Sequence, residues 1–281
     1  MIIDFHTHIL PPGFRERRDR YLQRDATLRA LFSDPRSPMA TAEELVEALD
    51  EAGVDIAVAL GMGWTDLETA REANDYLLES AAKHTTRIIP FCSVNPAWGE
   101  PALREVERCA RVGARGVGEL HPDTQGFSLA DASVMGPFME QARALGLVVL
   151  THASEPVGHA YAGKGAVTPA ALMALIQQFP DVRIVCAHWG GGLPFYALMP
   201  EVRRALANAY VDTAASPFLY RREVFSLGPK LMGADKVLFG SDFPLLPVKR
   251  VLAHARAAGL SKEEQALVLG GNAARLLGLA E

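Results

Sequence analysis

The amino-acid sequence predicts an α/β fold, a (β/α)8 TIM barrel that occupies residues 1–281 as one domain. Eight short runs rich in Val, Ile and Phe recur at fairly even intervals, as buried parallel strands do. The runs are MIIDFH, DIAVAL, IIPFCSV, RGVGEL, LVVLTH, RIVCAH, AYVDTA and KVLFGSD. Helical patterns such as TAEELVEALDEAG lie between them, and several end at a glycine suited to a left-handed cap. Eight such units fit a barrel of roughly 250 residues better than an open sheet.

Two segments are longer than this alternation requires. The segment PPGFRERRDRYLQRDATLRALFSDPRSP follows the first strand and far exceeds the usual connection of about two to six residues. It predicts a capping insertion after strand one. The segment SEPVGHAYAGKGAVTP follows the fifth strand and carries His159, Tyr161 and Lys164 where the chain should cross the mouth of the barrel. We therefore expect both segments to face a ligand.

The composition favours a small-molecule ligand. A hydrophobic content of 49% can fill a substantial core, and a formal net charge of -5 gives no basic surface for nucleic acid or anionic lipid. The three cysteines are widely spaced and odd in number, which argues against a disulfide framework. The sequence lacks a secretory signal pattern and any apolar run long enough to span a bilayer. We expect a cytoplasmic protein that binds a small molecule, no nucleic acid and no membrane.

Ionisable side chains close several of the predicted strands, at the end of a barrel where chemistry takes place. His6 and His8 close the first strand, and the period of two places both side chains on the same face. The other strand ends carry Glu119, His152, His188 and Asp242. Burying these groups together costs several kcal/mol unless they are paired or bind a metal. The pattern therefore predicts a metal site.

Except for Glu119, these residues lie in motifs that resemble the amidohydrolase superfamily, in particular its amidohydrolase-related branch, which includes aminocarboxymuconate-semialdehyde decarboxylase. The motifs are DFHTH, LTHASEP, AHWGGGLPF, VDTAASP, LFGSDFP and GNAARLLGL, and together they span the chain. Their order, with a histidine after strands five and six and GSD after strand eight, makes the resemblance specific. It implies a metal-dependent barrel enzyme. It also implies a homodimer, for which the sequence shows no surface pattern.

The resemblance implies a role for each strand-end residue. His6, His8 and His152 would be metal ligands, and Asp242 would be a fourth ligand that also takes a proton from the metal-bound water. His188 would be a nearby acid or base that orients this water. Zinc is the expected metal, because it favours nitrogen and carboxylate ligands and lowers the pKa of a bound water to about 7.

The role of Glu119 stays open at this point. The resemblance includes TatD-type nucleases, in which a Glu in a similar context bridges two metals, so Glu119 is a candidate ligand and a second metal a candidate cofactor. The alternative is that Glu119 pairs with Arg115 or with another group outside the metal shell. His121 follows two residues later, where the strand has ended and the direction of the side chain cannot be inferred.

Three further residues are candidates for contact with the substrate. Lys164 is a candidate to bind a substrate carboxylate, for which Arg15, Arg17, Arg18 and Arg24 are alternatives, and Tyr161 lies on the same segment as Lys164 at the barrel mouth. Trp189 would form a wall of the pocket beside the GGG run, whose glycines allow close backbone approach.

Three functions compete at this stage. The leading expectation is hydrolysis of a small carboxylated, lactone or amide substrate by metal-activated water. The alternative is non-oxidative decarboxylation of an aromatic or muconate-type acid, in which Asp242 or His188 handles the proton that replaces carbon dioxide. The third is a non-catalytic metal-binding barrel. The presence of both Asp242 and His188 argues against this third function, because a binding-only relative is expected to have lost one of them.

Overall fold

Eight parallel strands, hydrogen-bonded in chain order, form a barrel in a computed structural model that describes residues 1–279. The strands are β1 (Ile3–His8), β2 (Ile56–Leu60), β3 (Ile88–Cys92), β4 (Gly116–Leu120), β5 (Val148–Thr151), β6 (Ile184–Cys186), β7 (Ala209–Asp212) and β8 (Val237–Leu238). The segment that follows β8 returns to β1: Phe5 N donates to Phe239 O at 2.7 Å and His8 N donates to Phe243 O at 2.7 Å. The predicted (β/α)8 class is confirmed.

Helices connect the strands and surround the barrel. The longer helices are Ala42–Ala52, Leu67–Lys83, Glu100–Val112, Ala132–Ala144, Pro169–Gln178, Val224–Met232 and Val248–Arg256. The shorter helices are Pro12–Glu16, Arg18–Arg24, Ala26–Phe32, Pro122–Gln125, Ala187–Gly190, Leu193–Tyr196, Pro200–Ala205, Ser216–Leu219, Lys262–Ala266 and Asn272–Leu277. Single turns of other helix types are Pro96–Trp98, Leu206–Asn208, Ala234–Lys236 and Leu267–Gly271. No helix within residues 1–279 combines the length and apolar character needed to cross a membrane.

Local sequence determines where the helices begin and end. In Ala42–Ala52, Thr41 and Glu44 form a capping box, in which each side chain accepts a hydrogen bond from the backbone of the other. Gly53 ends this helix with a φ of 66°, a left-handed conformation that costs glycine little. The pattern TAEELVEALDEAG predicts both ends.

The interior of the barrel is filled by side chains from the strands. The ring of Phe5 meets that of Phe91 edge to face, with the ring centroids 5.7 Å apart. Gly116 makes room for Phe91, because a Cβ at this position would come within 2.3 Å of the phenyl ring. The last helix, Asn272–Leu277, packs its apolar residues into this same core.

The predicted capping insertion forms three short helices between β1 and Ala42–Ala52. Phe14 stacks on Tyr21 with the ring centroids 4.0 Å apart, and it meets the edge of Trp64 at 6.0 Å. These three aromatic residues are buried. The insertion therefore has a hydrophobic core of its own, which is continuous with the loop after β2.

Asp25 joins the insertion to the barrel. Its side chain is fully buried. One carboxylate oxygen accepts from Leu28 N at 2.9 Å and caps the helix Ala26–Phe32. The other accepts from Thr65 N at 2.7 Å and from Asp66 N at 3.0 Å, in the loop after β2. One carboxylate thus satisfies backbone donors of two segments that are distant in sequence.

Replacing Asp25 should weaken this junction. We expect Asp25→Ala to lower the free energy of unfolding by about 2–4 kcal/mol, because three backbone N–H groups lose their acceptor. Urea unfolding followed by circular dichroism measures the change. Asp19→Ala is the matched control, since Asp19 is exposed, and its effect should stay within about 0.5 kcal/mol. Equal losses in the two variants would contradict the anchoring role.

Candidate active site

His6 and His8 face each other at the carboxyl end of β1. Both are buried, and their Nε2 atoms lie 3.1 Å apart. The period-two alternation of the strand brings the two rings to one side, as the spacing predicts. Two ring nitrogens in this position require a shared proton or a shared ion between them.

Asp212, at the end of β7, orients His6. Its Oδ2 lies 2.8 Å from His6 Nδ1, and both side chains are fully buried. Because an ionised carboxylate can only accept, His6 donates through Nδ1 and directs Nε2 toward His8. Burial lowers the pKa of His6, but the charges of Asp212 and Glu119 outweigh it and raise the pKa well above its ordinary value.

Glu119 lies among four histidines at the end of β4. Its Oε2 is 3.6 Å from Nε2 of both His6 and His8. Its Oε1 lies 3.0 Å from His152 Nδ1 and 3.5 Å from His188 Nε2. Burial raises the pKa of Glu119, but the charge of His6 and the hydrogen bonds from the histidines hold it well below its usual range. Arg115 is not among the described residues that form ion pairs with Glu119, so the structure does not have the alternative pair.

Asp242 completes the group from the segment after β8. Its Oδ1 lies 3.4 Å from His8 Nε2 and 3.6 Å from His6 Nε2. Burial raises the pKa of Asp242, but the hydrogen bond with His8 and the charge of His6 lower it below its ordinary value. Asp242 has a φ of 68° and His188 a φ of 55°, a region that residues other than glycine rarely adopt. Trp189 and Ala215 share this conformation, so two of the four non-glycine residues with positive φ among the described residues are predicted to handle protons.

The donor set fits a divalent cation. Nε2 of His6 and Nε2 of His8 lie 3.1 Å apart, and each lies 3.4 to 3.6 Å from Oε2 of Glu119 and from Oδ1 of Asp242. Two atoms bound at about 2.1 Å from one ion are separated by roughly 3 Å. Imidazole and carboxylate donors in equal number suit zinc and also harder ions such as manganese. The residues present could therefore hold such an ion.

The structure brings the six predicted strand-end residues together. Their donor atoms form three overlapping groups: His6 with His8 and Glu119, His6 with His188 and Asp242, and Glu119 with His152 and His188. His152 lies on the far side of Glu119 from His8, and its Nε2 contacts Ser154 Oγ at 3.1 Å. Glu119 is therefore central to the cluster, whereas the sequence leaves its role open.

The cluster forms the floor of a cavity of about 370 Å³. Its walls are mostly apolar and come from the insertion and the loops after the strands: Leu31, Phe32, Pro38, Met62, Ala162, Phe218, Leu219, Pro244 and Leu245. Glu119, His121, His152, His188 and Asp242 line the polar part. No lysine or arginine is among the described residues that line the cavity.

The three residues predicted to contact substrate have different positions. Tyr161 lines the cavity, and its hydroxyl donates to Glu155 Oε2 at 3.0 Å. Lys164 lies outside the lining, because its ammonium donates to the carbonyls of Val157 at 2.7 Å and His159 at 2.9 Å. Trp189 is also outside the lining.

Trp189 is buried behind the site. Its Nε1 donates to Ser216 Oγ at 2.7 Å, and its ring meets the edge of Phe225. A Cβ at Gly228 would come within 2.2 Å of the indole ring. The indole therefore supports the loop after β6 and does not face the cavity.

Two residues of the site were not assigned from the sequence. Asp212 stands at a strand end in VDTAASP, so its position is the signal that could have identified it. His121 lines the cavity and stacks on His152, with the ring centroids 4.3 Å apart. Burial, followed by the charge of His152, lowers the pKa of His121 to about 3.

The comparisons with known proteins agree with this architecture. The amidohydrolase family model matches residues 3–279. The 2-amino-3-carboxymuconate-6-semialdehyde decarboxylase of Dictyostelium discoideum is 25% identical, covering 99% of this chain and 91% of that protein. A gamma-resorcylate decarboxylase of Polaromonas sp. is 26% identical, covering 83% of this chain and 86% of the relative.

Solved structures have the same fold. A variant of 5-carboxyvanillate decarboxylase from Novosphingobium aromaticivorans, with bound manganese and 3-methoxy-4-hydroxy-5-nitrobenzoic acid, aligns with a TM-score of 0.82. It is 20% identical and covers 99% of this chain and 97% of its own. The expectation of hydrolysis as the leading reaction is wrong, since the curated relatives are decarboxylases.

Asp212 provides a test of the metal fit. We expect Asp212→Asn to weaken binding of zinc and of manganese about 10–100-fold, because the amide no longer fixes the Nε2 lone pair of His6 toward the cluster. Isothermal titration calorimetry, in which zinc or manganese is added to metal-free protein, measures both affinities. Asp181→Asn is the control, since Asp181 is exposed. Unchanged affinity in Asp212→Asn would show that His6 is oriented by other contacts.

Proposed function

This chain belongs to the amidohydrolase family, and from that membership we propose that it catalyses the metal-dependent, non-oxidative decarboxylation of a small aromatic or muconate-type acid. The observation that carries the proposal is a cluster of imidazoles and carboxylates at the floor of an apolar cavity. Such a substrate would place its carboxylate next to the metal and its ring or unsaturated chain against the apolar walls.

The proposed metal ligands are His6, His8, Glu119 and Asp242, because both imidazole Nε2 atoms lie within 3.6 Å of an oxygen of each carboxylate. His152, predicted as a ligand from the resemblance, contacts the other oxygen of Glu119. A bound divalent ion would offset the two carboxylate charges and attract the carboxylate of the substrate. Zinc is the prediction from the sequence, and the manganese bound by the 5-carboxyvanillate decarboxylase variant makes manganese an equal candidate.

His188 is the proposed proton donor. Its Nδ1 lies 3.2 Å from the carbonyl oxygen of Ala214, and its Nε2 faces Glu119 Oε1. Because both ring nitrogens face acceptors, the doubly protonated ring is favoured. Burial lowers the pKa of His188, but Glu119 outweighs burial and raises it to about 9.

The reaction needs one proton and releases one molecule of carbon dioxide. The bond between the substrate carbon and its carboxylate breaks, and the electron pair stays on that carbon. A proton from His188 then forms the new C–H bond, and solvent returns a proton to the imidazole. Asp242 lies close enough to stabilise the charge that His188 carries before transfer. The apolar walls exclude water from the carbon that is protonated.

Deuterium transfer tests the reaction. In D2O, wild-type protein loaded with manganese or zinc should convert 2,6-dihydroxybenzoate to a phenol with one deuterium at the vacated carbon, measured by mass spectrometry together with carbon dioxide. His188→Asn should lower kcat about 10²–10⁴-fold, because it removes the proton donor. His84→Asn is the control on a half-buried histidine outside the cavity. Absence of carbon dioxide across a panel of aromatic and muconate-type acids would reject decarboxylation.

The lining without lysine or arginine predicts a preference for monocarboxylic acids. We expect 2-hydroxybenzoate to have a kcat/KM about 10–100-fold above that of 4-hydroxyisophthalate, because the second carboxylate would enter an apolar wall without a cation. The 5-carboxamide of 2-hydroxybenzoate has nearly the size of the diacid without its charge and controls for steric exclusion. A diacid that reacts as fast as the monoacid would contradict this prediction.

A further inference from the structure

His121 is a buried polar residue that the proposed reaction does not use. Its side chain is 3% exposed and lines the cavity. Neither Nδ1 nor Nε2 has a hydrogen-bond partner among residues 1–279. Every imidazole carries at least one N–H group, and a buried donor without a partner is destabilising. Because this group faces a ligand cavity, its hydrogen-bond partner is expected to be a polar group of the ligand.

The ring of His121 is held in place by its neighbours. It lies almost parallel to the ring of His152, at an interplanar angle of 17°. His121 N donates to Gln125 Oε1 at 2.9 Å, and Gln125 Nε2 is itself bound to Trp64 O and Val94 O at 3.0 Å each. On the other side, a Cβ at Gly63 would come within 2.4 Å of His121 Cβ. The residue is therefore packed against fixed backbone and a fixed ring.

From this geometry we propose that His121 is a specificity-determining residue that binds a hydroxyl group on the ring of the substrate. The inference rests on the proposed function for the aromatic class of the acid. The imidazole offers a donor at one nitrogen and, in its neutral form, an acceptor at the other. A hydroxyl group can satisfy either, whereas a second carboxylate can only accept.

The position of His121 suits this role. It lies one ring away from the cluster, because it stacks on His152, whose Nδ1 contacts Glu119 Oε1 at 3.0 Å. An acid whose carboxylate is at the cluster thus has its ring beside His121. A site built to bind a hydroxyl rejects the analogue that lacks it, because the polar group of the protein is left without a partner. The preferred substrates are therefore hydroxylated aromatic acids.

The test is a thermodynamic double-mutant cycle in which one change replaces His121 and the other removes the hydroxyl group from the ligand. Calorimetry gives Kd for benzoate and for 2-, 3- and 4-hydroxybenzoate with manganese-loaded wild type, His121→Phe and His121→Gln. We expect at least one hydroxybenzoate to bind wild type about tenfold or more tighter than benzoate. This advantage should disappear in His121→Phe, which keeps an aromatic ring against His152, and partly return in His121→Gln. The affinity for benzoate, which has no hydroxyl group, should differ by less than about twofold between wild type and either variant.

His254→Phe is the matched control. His254 also has an unpartnered ring nitrogen, but it is half-buried on the helix Val248–Arg256, outside the cavity. Its replacement should leave the hydroxyl advantage unchanged. The melting temperature of His121→Phe should equal or exceed that of wild type, since the variant removes a buried donor without a partner.

Two results would overturn the role of His121: equal affinity changes for benzoate and for the hydroxybenzoates in His121→Phe, or no hydroxyl advantage in wild type. Carbon dioxide release is measured on the same wild-type samples. Hydroxyl-dependent binding without carbon dioxide would reject decarboxylation and retain the binding role of His121. Carbon dioxide release with hydroxyl-independent binding would reject the role of His121 and retain the reaction.

Discussion

The carboxylate of Asp212 links the carboxyl ends of three strands, β1, β6 and β7. Its Oδ2 binds the imidazole of His6 on β1, and its Oδ1 accepts from the backbone of His188 and Ala214, after β6 and β7. A fully buried carboxylate is costly unless its oxygens are satisfied, and here three donors satisfy them. The same bonds support the left-handed backbone at His188. The orientation of the His6 ring and the backbone conformation of His188 are therefore both supported by one side chain.

The sequence is sufficient to predict the strands because their buried, apolar character is continuous. The last strand is the exception: KVLFGSD predicts seven residues, and only Val237 and Leu238 pair as a strand. After them Gly240 passes close to β1, where a Cβ would come within 2.8 Å of the Cβ of His6. The segment then follows β1 through single hydrogen bonds to His6 and His8. A close approach between segments distant in sequence leaves no periodic signal.

The convergence of side chains can be predicted where the residues are still in a strand. His6 and His8 converge because alternation fixes their direction. His152 and His188 stand just after strands, so alternation no longer fixes where their nitrogens point. The Glu119–Arg115 alternative could have been rejected from the strand alone, since four residues of extended chain span about 13 Å. Asp212 was missed because it acts on a neighbouring ring and not at the centre of the cluster.

The choice between hydrolysis and decarboxylation could not be made from the cluster, because the same donors serve both reactions. The decarboxylase relatives argue against hydrolysis, whereas the cavity walls, which come from segments as distant as Leu31, Met62 and Phe218, bear on which ligand fits. Only the folded barrel brings these residues together. Apolar walls and the absence of lysine and arginine among the described lining residues favour a ligand whose charged group lies at the cluster alone.

The junction at Asp25 bears on how this barrel can change the ligand that it accepts. Leu31 and Phe32 belong to the insertion, which is fastened to the loop after β2 by backbone bonds to one carboxylate. The residues proposed to handle protons belong to strand ends. Substitutions in the insertion therefore reshape the wall while the chemistry stays intact, so an engineer, or natural selection, can alter the two independently. The insertion is therefore the segment in which substitutions change the cavity wall without changing the strand-end residues.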